Sequence, residues 1–133
     1  MTGRGMKLNV ILFFAAAALL WPAPLSAHHP VASTYVEDRT QTLEGNLVQF
    51  VLRNPHSFVD VDAADVKGHT QHWTIEWLAG LQLNRQGVTA ETLKVGDHLV
   101  ITGFSARDPA DHRLRLRTIT RPRDHWKWSG TFE

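Results

Sequence analysis

Two groups of residues in this chain carry side chains suited to metal binding or proton transfer. The first is His28-His29-Pro30. If the chain is cut after Ala27, His28 becomes amino-terminal and offers both its amine and its ring nitrogen to one metal, a bidentate clamp that suits copper. His29 offers a second route through the amine, the first backbone amide nitrogen and its own ring. Pro30 has no N–H, so it cannot add a further deprotonated amide. The second group is spread over His56, His72 and Glu76, with Asn54, Phe58, Asp60, Asp62, Trp73 and Thr74 around them. Imidazole and carboxylate are the strong ligands available, because the chain has no cysteine. The same absence excludes a disulfide framework, a thiolate metal site and a cysteine nucleophile.

The cut is expected from the first 27 residues. Arg4 and Lys7 precede an apolar run from Leu8 to Leu20, broken only by Asn9, and the segment ends Pro24-Leu25-Ser26-Ala27. A basic start, a short apolar middle and a small residue at the end are the parts of a secretory signal peptide. The run falls short of the roughly 18 residues that a membrane span needs. Membrane contact is therefore expected only through this leader, before cleavage. Setting it aside removes Arg4 and Lys7, which turns 14 basic residues against 13 acidic ones into 12 against 13, while all eight histidines remain. A nearly neutral domain of that size has no net charge to recruit nucleic acid.

Positioning the second group falls to a set of predicted strands. His28 to Gln41 reads as a polar arm. Thr42 to Arg53 is strand-like but changes its buried face, with Leu43 and Leu47 on one parity and Val48, Phe50 and Leu52 on the other. Such a switch requires a bulge or a bend, and Gly45 lies nearby. Asn54-Pro55 ends that strand. Ser57 to Ala63 and Gln71 to Trp77 both alternate, and a turn at Lys67-Gly68 joins them as a hairpin. Leu78 to Gln86 is a short helix candidate with Leu78, Leu81 and Leu83 on one side and Gly87 as its stop. His98 to Ala106 and His112 to Arg121 are the last two strands. Three strands, a helix and two strands, with a bent first strand, is the order of a five-stranded OB-like β-barrel with the helix between strands three and four. The expected organisation is a signal peptide over 1–27, an arm over 28–41, the barrel domain over 42–122 and a tail over 123–133.

Pairing the hairpin about its turn sets Asp60 against Thr74, Asp62 against His72 and Phe58 against Glu76, with His56 at the rim. Carboxylates and imidazoles then share one face at interacting distance. In OB folds the face of strands two and three is a common ligand surface. His69, His98, His112 and His125 each stand alone in their segments and read as surface residues. Arg113, Arg115 and Arg117, joined by Arg121 and Arg123, read as charges guarding an edge strand. Trp126 and Trp128 read as a cover over one end of the barrel.

Ala27-His28-His29 after a leader, Gly45, Asn54-Pro55-His56, Trp73 with Glu76, and Leu93-Lys94-Val95-Gly96-Asp97 resemble, in that order, a family of small exported bacterial proteins known only as a domain of unknown function. The resemblance spans nearly all of residues 27 to 121 and implies that His28, His29, Asn54, His56, Trp73 and Glu76 belong to the family pattern. It implies no activity. In the double-histidine motif, Pro30-Val31 stands where that family usually has Ser-Phe.

The expected function is an exported, periplasmic or secreted, non-enzymatic binding protein. It would hold copper or another divalent metal through His28, His29 and His56, with His72 and Glu76 as reserve ligands. A second reading is an interaction module that holds a peptide, a glycan or a periplasmic partner subunit on the barrel face and the tryptophan tail. A third is a small hydrolase or isomerase using His56 and Glu76, the acid–imidazole pair with a claim to proton transfer. Helical H-E-x-x-H, glycine-rich phosphate loops and G-x-S-x-G elbows are missing from the sequence.

Overall fold

The computed structural model describes residues 34–131. These are mainly strand, in chain order β1 (Tyr35–Val51), β2 (Phe58–Ala64), β3 (Thr70–Glu76), α1 (Gly80–Arg85), β4 (His98–Ala106), β5 (Arg113–Arg121), a 3-10 turn (Pro122–Asp124) and β6 (Trp126–Ser129). His28, His29 and the expected leader lie outside the described residues.

β1 is 17 residues long because it serves two partners. Its first part, Tyr35 to Asn46, pairs antiparallel with β4, and its second, Gly45 to Val51, pairs antiparallel with β2. Leu43 and Leu47 point into the core. The ladder then skips one residue between Leu47 and Gln49, so Val48 bulges out to 41% exposure and Phe50 turns inward to pack on the core. The face switch read from the sequence is real, but its pivot is Val48. Gly45 instead permits a close approach of strands, since a Cβ there would collide with the carbonyl oxygen of Asp62 on β2. β1 also starts seven residues earlier than expected, so Tyr35 to Gln41 is strand where an arm was anticipated.

The β2–β3 hairpin has the expected register, with Phe58 opposite Glu76, Asp60 opposite Thr74 and Asp62 opposite His72. Gly68 makes the turn at a positive φ of 82°, a conformation that glycine adopts without Cβ strain. Val59, Val61 and Ile75 are buried on the inner face. The strands form one sheet in the order β3-β2-β1-β4-β5-β6, and β3 also pairs in parallel with β5 through Thr74 to Glu76.

Two further differences from the sequence reading have simple causes. α1 covers only Gly80 to Arg85, so Leu78 packs into the core from the preceding loop and Leu81 faces solvent at 59% exposure. Gly87, at φ 82°, stops it as expected. The segment after Arg121 is a sixth strand, not a loose tail: β6 pairs with β5 from Thr118–Ser129 to Arg121–Trp126. Trp128 is 8% exposed, sets its ring edge-on to Trp77 at 5.1 Å and donates from Nε1 to Gln86 Oε1 at 2.6 Å. β5 therefore has neighbours on both sides and is not the edge strand that its arginines suggested.

Candidate functional site

Glu76, the last residue of β3, is 9% exposed and is held by residues from two distant parts of the chain. Tyr35 at the start of β1 donates its hydroxyl to Oε2 at 2.7 Å. His56, on the β1–β2 loop, brings Nδ1 to 2.5 Å from Oε1. Arg115, opposite Glu76 across the parallel β3–β5 ladder, adds a buried positive charge. Burial, the hydrogen bond to Glu76 and the carboxylate's charge together push the Tyr35 phenol well above its ordinary range. Burial pushes Arg115 below its ordinary value, opposed by the charges of Glu76, Glu37 and Tyr35.

This arrangement fixes the chemistry of His56. A carboxylate only accepts, so Nδ1–H of His56 is the donor in this contact and Nε2 is the ring nitrogen left over for another partner. The His56 side chain is 43% exposed against 11% for Glu76. The ring therefore stands between a buried, doubly anchored carboxylate and open solvent. A carboxylate behind one imidazole nitrogen is the arrangement that orients metal-binding histidines and raises their basicity.

The loop presenting His56 is pinned to the segment that leads from β3 into α1. Ser57 is fully buried; its N–H donates to Leu78 O at 3.0 Å, and its carbonyl accepts from Trp77 N at 2.8 Å. Its hydroxyl donates to Arg53 O at 3.2 Å and accepts from Arg53 N at the same distance. Asn54 precedes a cis bond to Pro55, and its Oδ1 accepts from Leu81 N at 3.2 Å. That bond satisfies one of the orphan donors at the start of α1. Asn54 thus acts as a remote helix cap, and the Asn-Pro-His run reads as a device that ties the loop down and aims His56.

The remaining expected site residues divide. Phe58 lies under the Arg53 guanidinium, 4.9 Å from its ring centre. Asp60 and Thr74 face each other across the ladder, and one Asp60 oxygen is buried with no partner among the described residues. His72 pairs through Nδ1 with Asp62 at 2.9 Å, four residues along β3 from Glu76, or about 13 Å. His72 is therefore not brought to His56. Among the described residues, no three histidine or acidic side chains converge on a metal position. Trp73 turns to the other side of β3 from His72 and stacks on His112 at 4.7 Å. Two shallow clefts, about 470 and 410 Å3, flank that stack. A third, of about 310 Å3, is lined by Arg53, Asn54, Pro55, His56 and Phe58.

Several partnerships have no sequence signal. Tyr35 is the sole tyrosine, yet nothing connects it to Glu76 across 41 positions. His98, read as a lone surface residue, contacts Glu44 Oε1 at 2.8 Å and Asn46 Oδ1 at 3.0 Å. His112 is likewise not alone, being stacked on Trp73. Most of the arginine stripe is committed to acids or rings. Arg121 binds Asp97 at 2.7 Å and Asp124 at 2.9 Å, Arg123 binds Asp97 at 3.1 Å, and Arg117 covers Phe104 at 5.1 Å. Asp97 ends the Leu93–Asp97 run, whose Gly96 turns at φ 88° and whose Asp97 carboxylate also accepts from Lys94 N. Burial raises the Asp97 carboxyl, but the Lys94 N–H, Arg121 and Arg123 outweigh it and leave it below its ordinary value.

No curated protein matches the chain. The family model described as a family of unknown function, DUF6152, matches residues 17–115, a span that holds Tyr35, His56, Glu76 and Arg115 and stops before Arg121 and β6. The chain belongs to that family.

Proposed function

We propose that this is an exported, non-enzymatic binding protein that takes copper or another divalent metal between His56 and an amino terminus created by cleavage after Ala27. The carrying observation is the Tyr35–Glu76–His56 chain of contacts, which holds the His56 ring in place at the surface. His29 and His28 precede Tyr35 by six and seven residues. An extended segment of that length spans about 20 Å, and Tyr35 is itself bonded to Glu76. That length is enough for an amino-terminal amine and its rings to reach toward His56. With the amine, one or two amino-terminal nitrogens and the His56 ring, the metal has the nitrogen-rich set that suits copper.

The same proposal includes an OB-like barrel. Its support is the pairing circuit: β1 with β2, β2 with β3, β3 with β5, β5 with β4 and β4 with β1, with α1 between β3 and β4. A solution structure showing the Thr74–Arg113 to Glu76–Arg115 backbone bonds open would remove that reading. For the function, the intact mass of protein recovered after export fixes the first residue, and native mass spectrometry reads any retained metal. Copper titration of that protein is then compared with a variant bearing one extra residue before His28. The proposal expects His28 as the first residue and at least a tenfold weaker site in the extended variant; equal affinities remove the terminal clamp.

A further inference from the structure

The first part of β1 has one neighbour. Among the described residues, Tyr35 to Glu44 pairs with β4 alone, because β2 joins β1 only from Gly45 onward. Among the described residues, the other side of β1 from Thr40 to Glu44 has no strand partner, and such an edge is a template for another extended chain. Most of Tyr35 to Glu44 carries the usual protections. Glu37, Asp38 and Arg39 sit where the ladder skips between Val36 and Thr40, and Glu44 ends the stretch. Between them, Thr40-Gln41-Thr42-Leu43 has no charge, no proline and an unbroken register with β4.

This window borders a groove. The clefts of about 470 and 410 Å3 run end to end along it, sharing Gln41, Trp73 and His112. The Trp73–His112 stack can take one side chain of an incoming strand on its rings. The charges around the groove are unequal: Glu44, Asp65, Asp108 and Asp111 stand against Arg39 and Arg113. Arg39 keeps its charge while donating to Ala106 O at 2.6 Å, and Glu44 is contacted by His98 at 2.8 Å, so the excess of acids is one of number alone.

We propose that the Thr40–Leu43 edge of β1 is a docking site for an extended cationic peptide segment. The segment adds as a strand beside β1, sets one side chain on the Trp73–His112 stack and places lysine or arginine near Asp111 and Asp65. Backbone pairing supplies the affinity and the alternate side chains the selectivity. The site is separate from His56 and stands or falls independently of metal binding.

The test titrates the full mature protein with a capped eight-residue peptide of alternating lysine and valine, and with its glutamate–valine counterpart. Amide NMR shifts and tryptophan fluorescence are the readouts. The proposal expects saturable binding of the lysine peptide only, with the largest shifts at Thr40 to Glu44 and at the Trp73 indole. Gln41→Lys places a charge on the exposed edge, and Asp111→Lys reverses one on an exposed loop. Each is expected to weaken binding at least tenfold with an unchanged amide spectrum elsewhere, while His56→Ala leaves it unaltered. Equal binding of the acidic peptide, shifts elsewhere, no saturation, or concentration-dependent pairing of two copies through this edge would each overturn the proposal.

Discussion

Glu76 has a donor on each oxygen, and that dictates how its neighbours behave. The Tyr35 hydroxyl loses its proton only by placing a phenolate against a buried carboxylate. As the sole tyrosine, Tyr35 accounts for all of the phenol signal in a pH-difference absorbance spectrum, in which the tryptophans do not titrate. An ordinary phenol titrates near pH 10; here no phenolate signal is expected there until the protein unfolds. The sign follows from linkage: a phenol raised in the folded state contributes stability that is complete below the ordinary value and lost as pH rises above it. A normal titration at pH 10 with the fold intact would show that the Tyr35–Glu76 bond is not made in solution. The His56–Glu76 pair was legible in the sequence, since placing Phe58 opposite Glu76 set His56 at the same rim. Tyr35 was not, because its neighbourhood depends on where β1 begins, and the polar run before Thr42 has no apolar alternation to reveal a strand.

At the level of elements, the segments that the sequence misplaced are those whose partners lie far along the chain. The β2–β3 hairpin came out in register because its turn chemistry and period-two alternation are local. β6 has only four residues, and it is held by its ladder with β5 and by the docking of Trp128 on Trp77 and Gln86, neither of which shows in the local sequence. Trp128→Ala is expected to cost about 3–5 kcal/mol, the range for deleting a large buried aromatic, measured by urea denaturation; a loss under about 1 kcal/mol would mean β6 is not docked. Gly45 makes a similar point for β1. Gly45→Val drives a branched side chain into the Asp62 carbonyl and is expected to destabilise by about 1–3 kcal/mol, as overpacking does. An unchanged denaturation midpoint would show that β1 and β2 are further apart than their ladder requires.

Across the whole molecule, two buried carboxylates are each held by partners distant in the chain, Glu76 by Tyr35 and His56, and Asp97 by Arg121 and Arg123. The second sets the acid limit. Asp97 is held below its ordinary value, so its contribution to stability is present above the normal carboxylate range, near pH 4, and is lost as pH falls through its lower folded value. Asp97→Asn is expected to lower stability at neutral pH and to flatten the acid side of the stability profile, followed by thermal melts between pH 2 and 6. The same steepness in both proteins would assign acid sensitivity to other carboxylates, such as Asp65 and Asp124, which are also lowered by their hydrogen bonds. Composition and strand order made the mainly β architecture legible, whereas the charge network was hidden because Arg121, Asp97 and Thr92 meet only after β4 and β5 pair. The functional account rests on the first of these carboxylates. The most direct measurement is the copper affinity of protein that begins at His28 beside its His56→Ala and His72→Ala variants, determined by competition with a chelator of known affinity. A loss of tenfold or more in His56→Ala with His72→Ala unchanged is expected; full affinity in His56→Ala would contradict the assignment of His56 as the ligand that Glu76 holds in place.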